Sequence, residues 1–172
     1  MQIVRCRPQQ HAAAILDILN EAIAHSTALY EYRPRTPESM QAWFAEKSAG
    51  SFPVLGAEEA GTLLGFATYG TFRARAAYKY TVEHSVYVHR DHRGRGIGKA
   101  LMLELIRCAR DQQYHVLVGG IDVANAGSVA MHERLGFVHA GTVREAAYKF
   151  GRWLDLGFYQ LTLETPANPT DG

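Results

Sequence analysis

The stretch that decides the reading of this chain is His92-Arg93-Gly94-Arg95-Gly96-Ile97-Gly98-Lys99-Ala100-Leu101. It follows the apolar run Ser85-Val86-Tyr87-Val88 and passes directly into Ile97, Leu101, Leu105, Cys108 and Ala109 at helical spacing. Three glycines strip away side chains where the first N–H groups of a helix have no internal partner. Such an end carries partial positive charge and binds phosphate oxygens through main-chain donors. Arg93, Arg95 and Lys99 add cations that can reach the same anion. A tight turn with a solvated basic rim is the plainer alternative. Two familiar phosphate loops fail on spacing. A Walker loop needs glycine six residues before its lysine and Ser or Thr after it, and those positions hold Arg93 and Ala100. A dinucleotide fingerprint needs G-x-G-x-x-G, whereas Gly94, Gly96 and Gly98 are spaced G-x-G-x-G.

Outward from the loop, the pattern predicts an α/β chain. Gln2 to Cys6 reads as a strand stopped by Pro8. Ile15, Ile18, Leu19, Ala22 and Ile23 mark one face of a helix over His11 to Ala24. Thr36-Pro37-Glu38 opens a second helix that fades near Gly50. Phe52 to Ala57, Thr62 to Thr71 and Tyr80 to His89 read as strands, the first two closing around Glu59-Ala60-Gly61. Past the loop and its helix, His115 to Ile121 is a strand, and Asn125 to Leu135 is a helix ended by Gly136. Phe137 to Val143 and Leu154 to Leu163 are the last strands. The order β-α-α-β-β-β-α-β-α-β-β predicts one domain over residues 1–164, with a loose tail at 165–172.

Composition narrows the class of function. At 172 residues the chain is long enough for one full core. A formal net charge of +1 gives no reason to expect a nucleic-acid or membrane-surface partner. Cys6 and Cys108 are too few for a disulfide framework, and no run approaches membrane-spanning length, so a cytoplasmic protein is expected. His89 and His92 flank the loop without ligand spacing, and no metal is expected.

Arg93-x-x-Gly96-x-Gly98, set between an apolar strand and an amphipathic helix, resembles the acetyl-coenzyme A loop of the GCN5-related N-acetyltransferases. The resemblance implies a single domain with a central mixed, mostly antiparallel twisted sheet of about seven strands and about four helices. It implies that Arg93, Gly94, Arg95, Gly96, Ile97, Gly98 and Lys99 hold the pyrophosphate of acetyl-CoA. Val86, Tyr87 and Val88 would hold its pantetheine through their backbone, where the strand splays from its neighbour. In the family's second motif an asparagine is followed seven residues later by a general-acid tyrosine, then by Gly-Phe. Here Asn125, His132 and Gly136-Phe137 occupy those places, so histidine replaces the tyrosine. Asn125 and Ser128 would meet the pantetheine arm, although Asn125 also reads as a plain helix cap. His132 is the candidate acid for the thiolate, or else a histidine bonded within its own helix.

Glu83-His84-Ser85-Val86-Tyr87-Val88, Met131-His132-Glu133 and Lys149-Phe150-Gly151-Arg152-Trp153-Leu154-Asp155 resemble the phosphinothricin and methionine sulfoximine acetyltransferases more narrowly. That likeness implies a small amino-acid-like amine as substrate. Its pocket would be lined by Arg73, Ala74, Arg75, Glu83, His84 and Ser85, and the protein would be a homodimer pairing near the last hairpin. Strand alternation sends Glu83, Ser85 and Tyr87 to one face, with His84, Val86 and Val88 on the other. A carboxylate inside an apolar strand makes Glu83 the candidate base, with an ion pair to Arg73 or Arg75 as its other reading. Acetylation of a protein N-terminus, and a non-catalytic acyl-CoA binding module, are the competing functions.

Overall fold

The computed structural model describes residues 1–171; Gly172, the last residue of the expected loose tail, lies outside the described residues. In chain order the elements are β1 (Gln2–Arg5), α1 (Pro8–His25), α2 (Pro37–Ala49), β2 (Val54–Glu59), β3 (Thr62–Thr71), β4 (Thr81–Val88), α3 (Ile97–Asp111), β5 (Val116–Asp122), α4 (Ala126–Arg134), β6 (Val138–Lys149) and β7 (Arg152–Thr162). This is the order the residue pattern predicts. The strands form one mostly antiparallel sheet in the order β1-β2-β3-β4-β5-β7-β6, and β4 runs parallel to β5. Short 3-10 turns at Ala76–Tyr78 and Arg90–His92 have no clear sequence signal and were not expected.

The chain groups into two compact units, Met1–Tyr69 with Ser85–Leu105, and Gly70–His84 with Ile106–Gly172. In the first, Ile15, Leu16, Ile18 and Leu19 of α1 join Met40 and Phe44 of α2 in a core over Val54, Leu63 and Phe66. Helical spacing puts these α1 residues on one face, and each fully buried aliphatic contributes about 1.5–3 kcal/mol. Trp43 seals the rim with edge contacts to Phe44 and Phe66.

In the second unit β7 lies between β5 and β6, paired antiparallel to both. β6 runs to Lys149, past the end expected at Val143. The polar Arg144-Glu145 that breaks the apolar pattern sits in a bulge between Val143 and Ala147, and Asp155 Oδ1 accepts the Glu145 N–H at 2.8 Å. The ladder closes at Lys149↔Arg152 around Phe150-Gly151. Two points of the expected loose tail are tied down. His115 Nδ1 donates to the Thr165 carbonyl at 2.8 Å, and the Thr170 N–H donates to Tyr80 Oη at 3.1 Å.

Candidate active site

The glycine loop forms as its spacing suggests. Gly94 and Gly96 adopt φ of +78° and +76°, and nothing lies within 4 Å of where a Cβ would project from either. The backbone is therefore in the left-handed region with open space above it, a conformation that costs most side chains roughly 1–2 kcal/mol. The first i→i−4 bond of α3 runs from the Ala100 N–H to the Gly96 carbonyl at 3.1 Å. Amides ahead of it have no helical acceptor and can meet an anion. Both loop arginines already have carboxylate partners that sequence reasoning missed. Arg93 Nη2 donates to Glu21 Oε2 at 2.7 Å, while its Nε donates to the Val88 carbonyl at 3.2 Å. Arg95 Nη2 donates to Glu59 Oε2 at 2.8 Å. No local pattern links Glu21 or Glu59 to the loop; α1 and the β2–β3 hairpin supply them.

β4 carries Glu83 to Val88. Its ladder with β5 spans Thr81↔Val116, Val82↔Leu117 and Glu83↔Val118, the last pair in that register. The predicted alternation holds in the first half, where Val82 and His84 are buried and Glu83 is half-buried. From Ser85 to Val88 every residue is half-buried. Burial raises the Glu83 pKa above the usual carboxylate value, and the Arg73 charge opposes that rise. Arg73 is exposed, its guanidinium 4.7 Å from the Phe72 ring centroid and bonded only weakly to the Phe72 carbonyl at 3.4 Å. Phe72 in turn meets Tyr78 edge-on. Ala74 and Arg75 lie in the same exposed segment.

α4 begins with the cap that Asn125 offers, its Oδ1 accepting the Ser128 N–H at 3.2 Å. Ser128 is half-buried. His132 is only 2% exposed. Its Nδ1 donates to the Ser128 carbonyl at 2.7 Å and its Nε2 lies 2.8 Å from His84 Nε2. Both nitrogens of the candidate acid are thus engaged inside the fold. His84, which the resemblance assigns to the pocket wall, is 6% exposed and faces His132. Gly119 is a third residue missed from sequence, since a Cβ there would stand 2.6 Å from His84 Cε1. Among the described residues no group of three or more His, Cys, Asp or Glu is arranged to hold a metal ion. No helix among the described residues is long and apolar enough to cross a membrane.

A glycine loop before an amphipathic helix, a carboxylate on the strand that leads to it and a short capped helix further on define an acyltransferase fold. The Acetyltransferase (GNAT) family matches residues 14–137. A methionine sulfoximine/methionine sulfone acetyltransferase from Salmonella typhimurium is 40% identical over 166 residues, 96% of this chain and 97% of that one. A structure from Acinetobacter baylyi with 57% identity superposes at a TM-score of 0.97, covering 99% of this chain and 96% of that one. A GNAT superfamily phosphinothricin acetyltransferase from Sinorhizobium meliloti, solved with acetyl-CoA, reaches 0.93 at 33% identity, covering 99% and 94%. The chain belongs to the GNAT acetyltransferase family and is an acetyl-CoA-dependent N-acetyltransferase.

Proposed function

We propose that this enzyme acetylates the amino group of a small amino-acid-like substrate of the methionine sulfoximine or phosphinothricin type, with Glu83 as base. The observation that carries this reading is the raised pKa of a half-buried carboxylate on the strand that runs into the glycine loop. Amines with a pKa of about 8 to 10 cost roughly 1.4–4 kcal/mol to deprotonate at neutral pH. A carboxylate shifted toward neutrality meets that demand, directly or through one water. The neutral amine then attacks the thioester carbonyl, the C–N bond forms, and the C–S bond breaks to release coenzyme A.

The donor's diphosphate is held by the amides of Gly94 to Lys99, with Arg93 and Arg95 exchanging Glu21 and Glu59 for phosphate oxygens. Five residues of extended chain, about 17 Å, separate Glu83 from Val88. A pantetheine arm lying along Val86, Tyr87 and Val88 therefore delivers its thioester toward Glu83, and a main-chain N–H polarises the carbonyl as charge builds on oxygen. Asn125 and Ser128 meet the same arm. Arg73, with Arg75 beside it, takes the carboxylate or the distal oxygens of the amine substrate, and Ser85 continues the wall next to Glu83. The relatives named for methionine sulfoximine and phosphinothricin support this choice of amine.

The enzyme works as a cytoplasmic homodimer in this reading. Tyr148, Phe150 and Trp153, each about half exposed on the β6–β7 hairpin, are an apolar surface suited to a second copy. Release of coenzyme A measured with methionine sulfoximine, phosphinothricin and a short peptide tests the assignment. Turnover with either small amine and none with the peptide is expected. Peptide turnover alone would move the function to protein N-termini, and release with no amine would leave a binding module.

A further inference from the structure

His84 and His132 meet edge to edge inside the second unit, their Nε2 atoms 2.8 Å apart, ring centroids 5.1 Å apart and ring planes 27° from parallel. Proton counting sets the direction of that bond. The Ser128 carbonyl can only accept, so His132 Nδ1, 2.7 Å away, carries a hydrogen. A neutral His132 then has a bare Nε2, and the hydrogen between the rings belongs to His84. His84 Nδ1 is left as a buried acceptor with no hydrogen-bond partner among the described residues. Burial disfavours a charge on either ring. Burial, then the facing His132 ring, pushes the His84 pKa down to about 3; the Val118 main chain favours a protonated His84 and opposes them weakly, since no bond of hydrogen-bond length and angle reaches His84 Nδ1. Burial also lowers that of His132. Phe137 packs on both rings at 5.1 Å, and Gly119 of β5 gives His84 the bare backbone it lies on. Four elements or their edges thus converge to hold one imidazole against another.

We propose that His84 is a positioning residue for the transferase. Its Nε2–H holds His132 in the Nδ1–H tautomer and so fixes α4, with the Asn125 and Ser128 that α4 presents to the acetyl donor. The functional consequence rests on the reading that these two residues meet the pantetheine arm; the tautomer assignment does not. His132 is then no proton source for the departing thiolate. A neutral imidazole that surrendered its remaining hydrogen would become a buried anion, and the Ser128 carbonyl would lose its donor. The pair holds a helix in place.

Nitrogen-15 NMR of the imidazoles near neutral pH tests the pair directly. His132 is expected with hydrogen on Nδ1 and His84 with hydrogen on Nε2; an imidazolium, or an Nε2–H on His132, would overturn the assignment. Kinetics test the role. His84→Leu removes the donor, whereas the side-chain amide of His84→Gln can replace it. The leucine variant is expected to raise the KM for acetyl-CoA about tenfold, the worth of roughly one buried hydrogen bond, with little change in the KM for the amine. Glutamine should recover most of that loss. A fall in kcat at unchanged KM for acetyl-CoA, or glutamine no better than leucine, would sink the positioning role. Should the leucine variant not fold, Gly119→Ala displaces the same ring from the other side and is expected to raise the same KM. Wild-type protein that binds no acetyl-CoA by calorimetry would refute the donor reading, while the NMR result would still stand.

Discussion

At the scale of single residues, Glu83 and Arg73 are the two side chains that the proposed mechanism assigns to the amine. Glu83 is half-buried and its pKa is raised by that burial, so the ionised base is lost at a higher pH than an ordinary carboxylate would be. Since only the carboxylate accepts a proton, kcat/KM should fall as pH drops through that raised value. Glu83→Gln is expected to lower kcat more than about tenfold and to erase this acidic limb. A pH profile of the variant with the limb intact would assign the base elsewhere. Arg73 reaches solvent and stacks on Phe72 with only a weak carbonyl contact, so its donors are available to an anionic ligand. Arg73→Ala should raise the KM for the amine roughly tenfold while leaving acetyl-CoA affinity unchanged, the loss of about one charge-assisted hydrogen bond. Equal effects on both substrates would mean that Arg73 lines the donor site instead.

At the scale of elements, the loop between β4 and α3 depends on its two left-handed glycines. Gly96→Ala would force a Cβ into φ near +76°, at a cost of roughly 1–2 kcal/mol, and would shift the amides proposed to hold the diphosphate. Calorimetry should show acetyl-CoA affinity reduced about tenfold or more, with only a few degrees lost in thermal midpoint. An unchanged affinity would show that the loop amides do not bind the donor. This loop was legible in the sequence because its information is local: glycine spacing, a preceding apolar strand and a following helical period sit in one stretch from Ser85 to Ala109. The α1 face and the Asn125 cap were legible for the same reason. The strand β6 was underread because a bulge absorbs Arg144-Glu145, and only its pairing with β7 reveals that the strand continues. The partners of Arg93 and Arg95, and the meeting of His84 with His132, join residues 36 to 72 positions apart. Nothing in the local pattern encodes such contacts. Motif register places His132 along its helix, but it does not encode what its two nitrogens touch.

At the scale of the whole molecule, the buried imidazole pair ties stability to pH. His84 faces His132 of α4, Gly119 of β5 and the Phe137 ring, with no carboxylate among these partners to favour a charge. Its pKa is about 3 in the folded protein, against about 6.5 for an unconstrained histidine. Between those values the unfolded chain binds a proton that the folded chain refuses, so stability rises with pH across that window and falls as pH is lowered through it. The loss begins just below about pH 6.5 and, for His84 alone, amounts to about 2 kcal/mol by about pH 5, at 1.36 kcal/mol per unit. His132, whose pKa is also lowered by burial, adds to it in the same direction. Replacing His84 with the non-titrating glutamine removes its share, so denaturant midpoints of His84→Gln should fall less steeply between about pH 6.5 and about pH 5 than those of the wild type. The two proteins would then converge in stability on the acidic side even if the variant starts lower at neutral pH. Parallel curves for the two would mean that the imidazole is not neutral and sealed in the native state, and that the acid sensitivity of the fold arises from other groups.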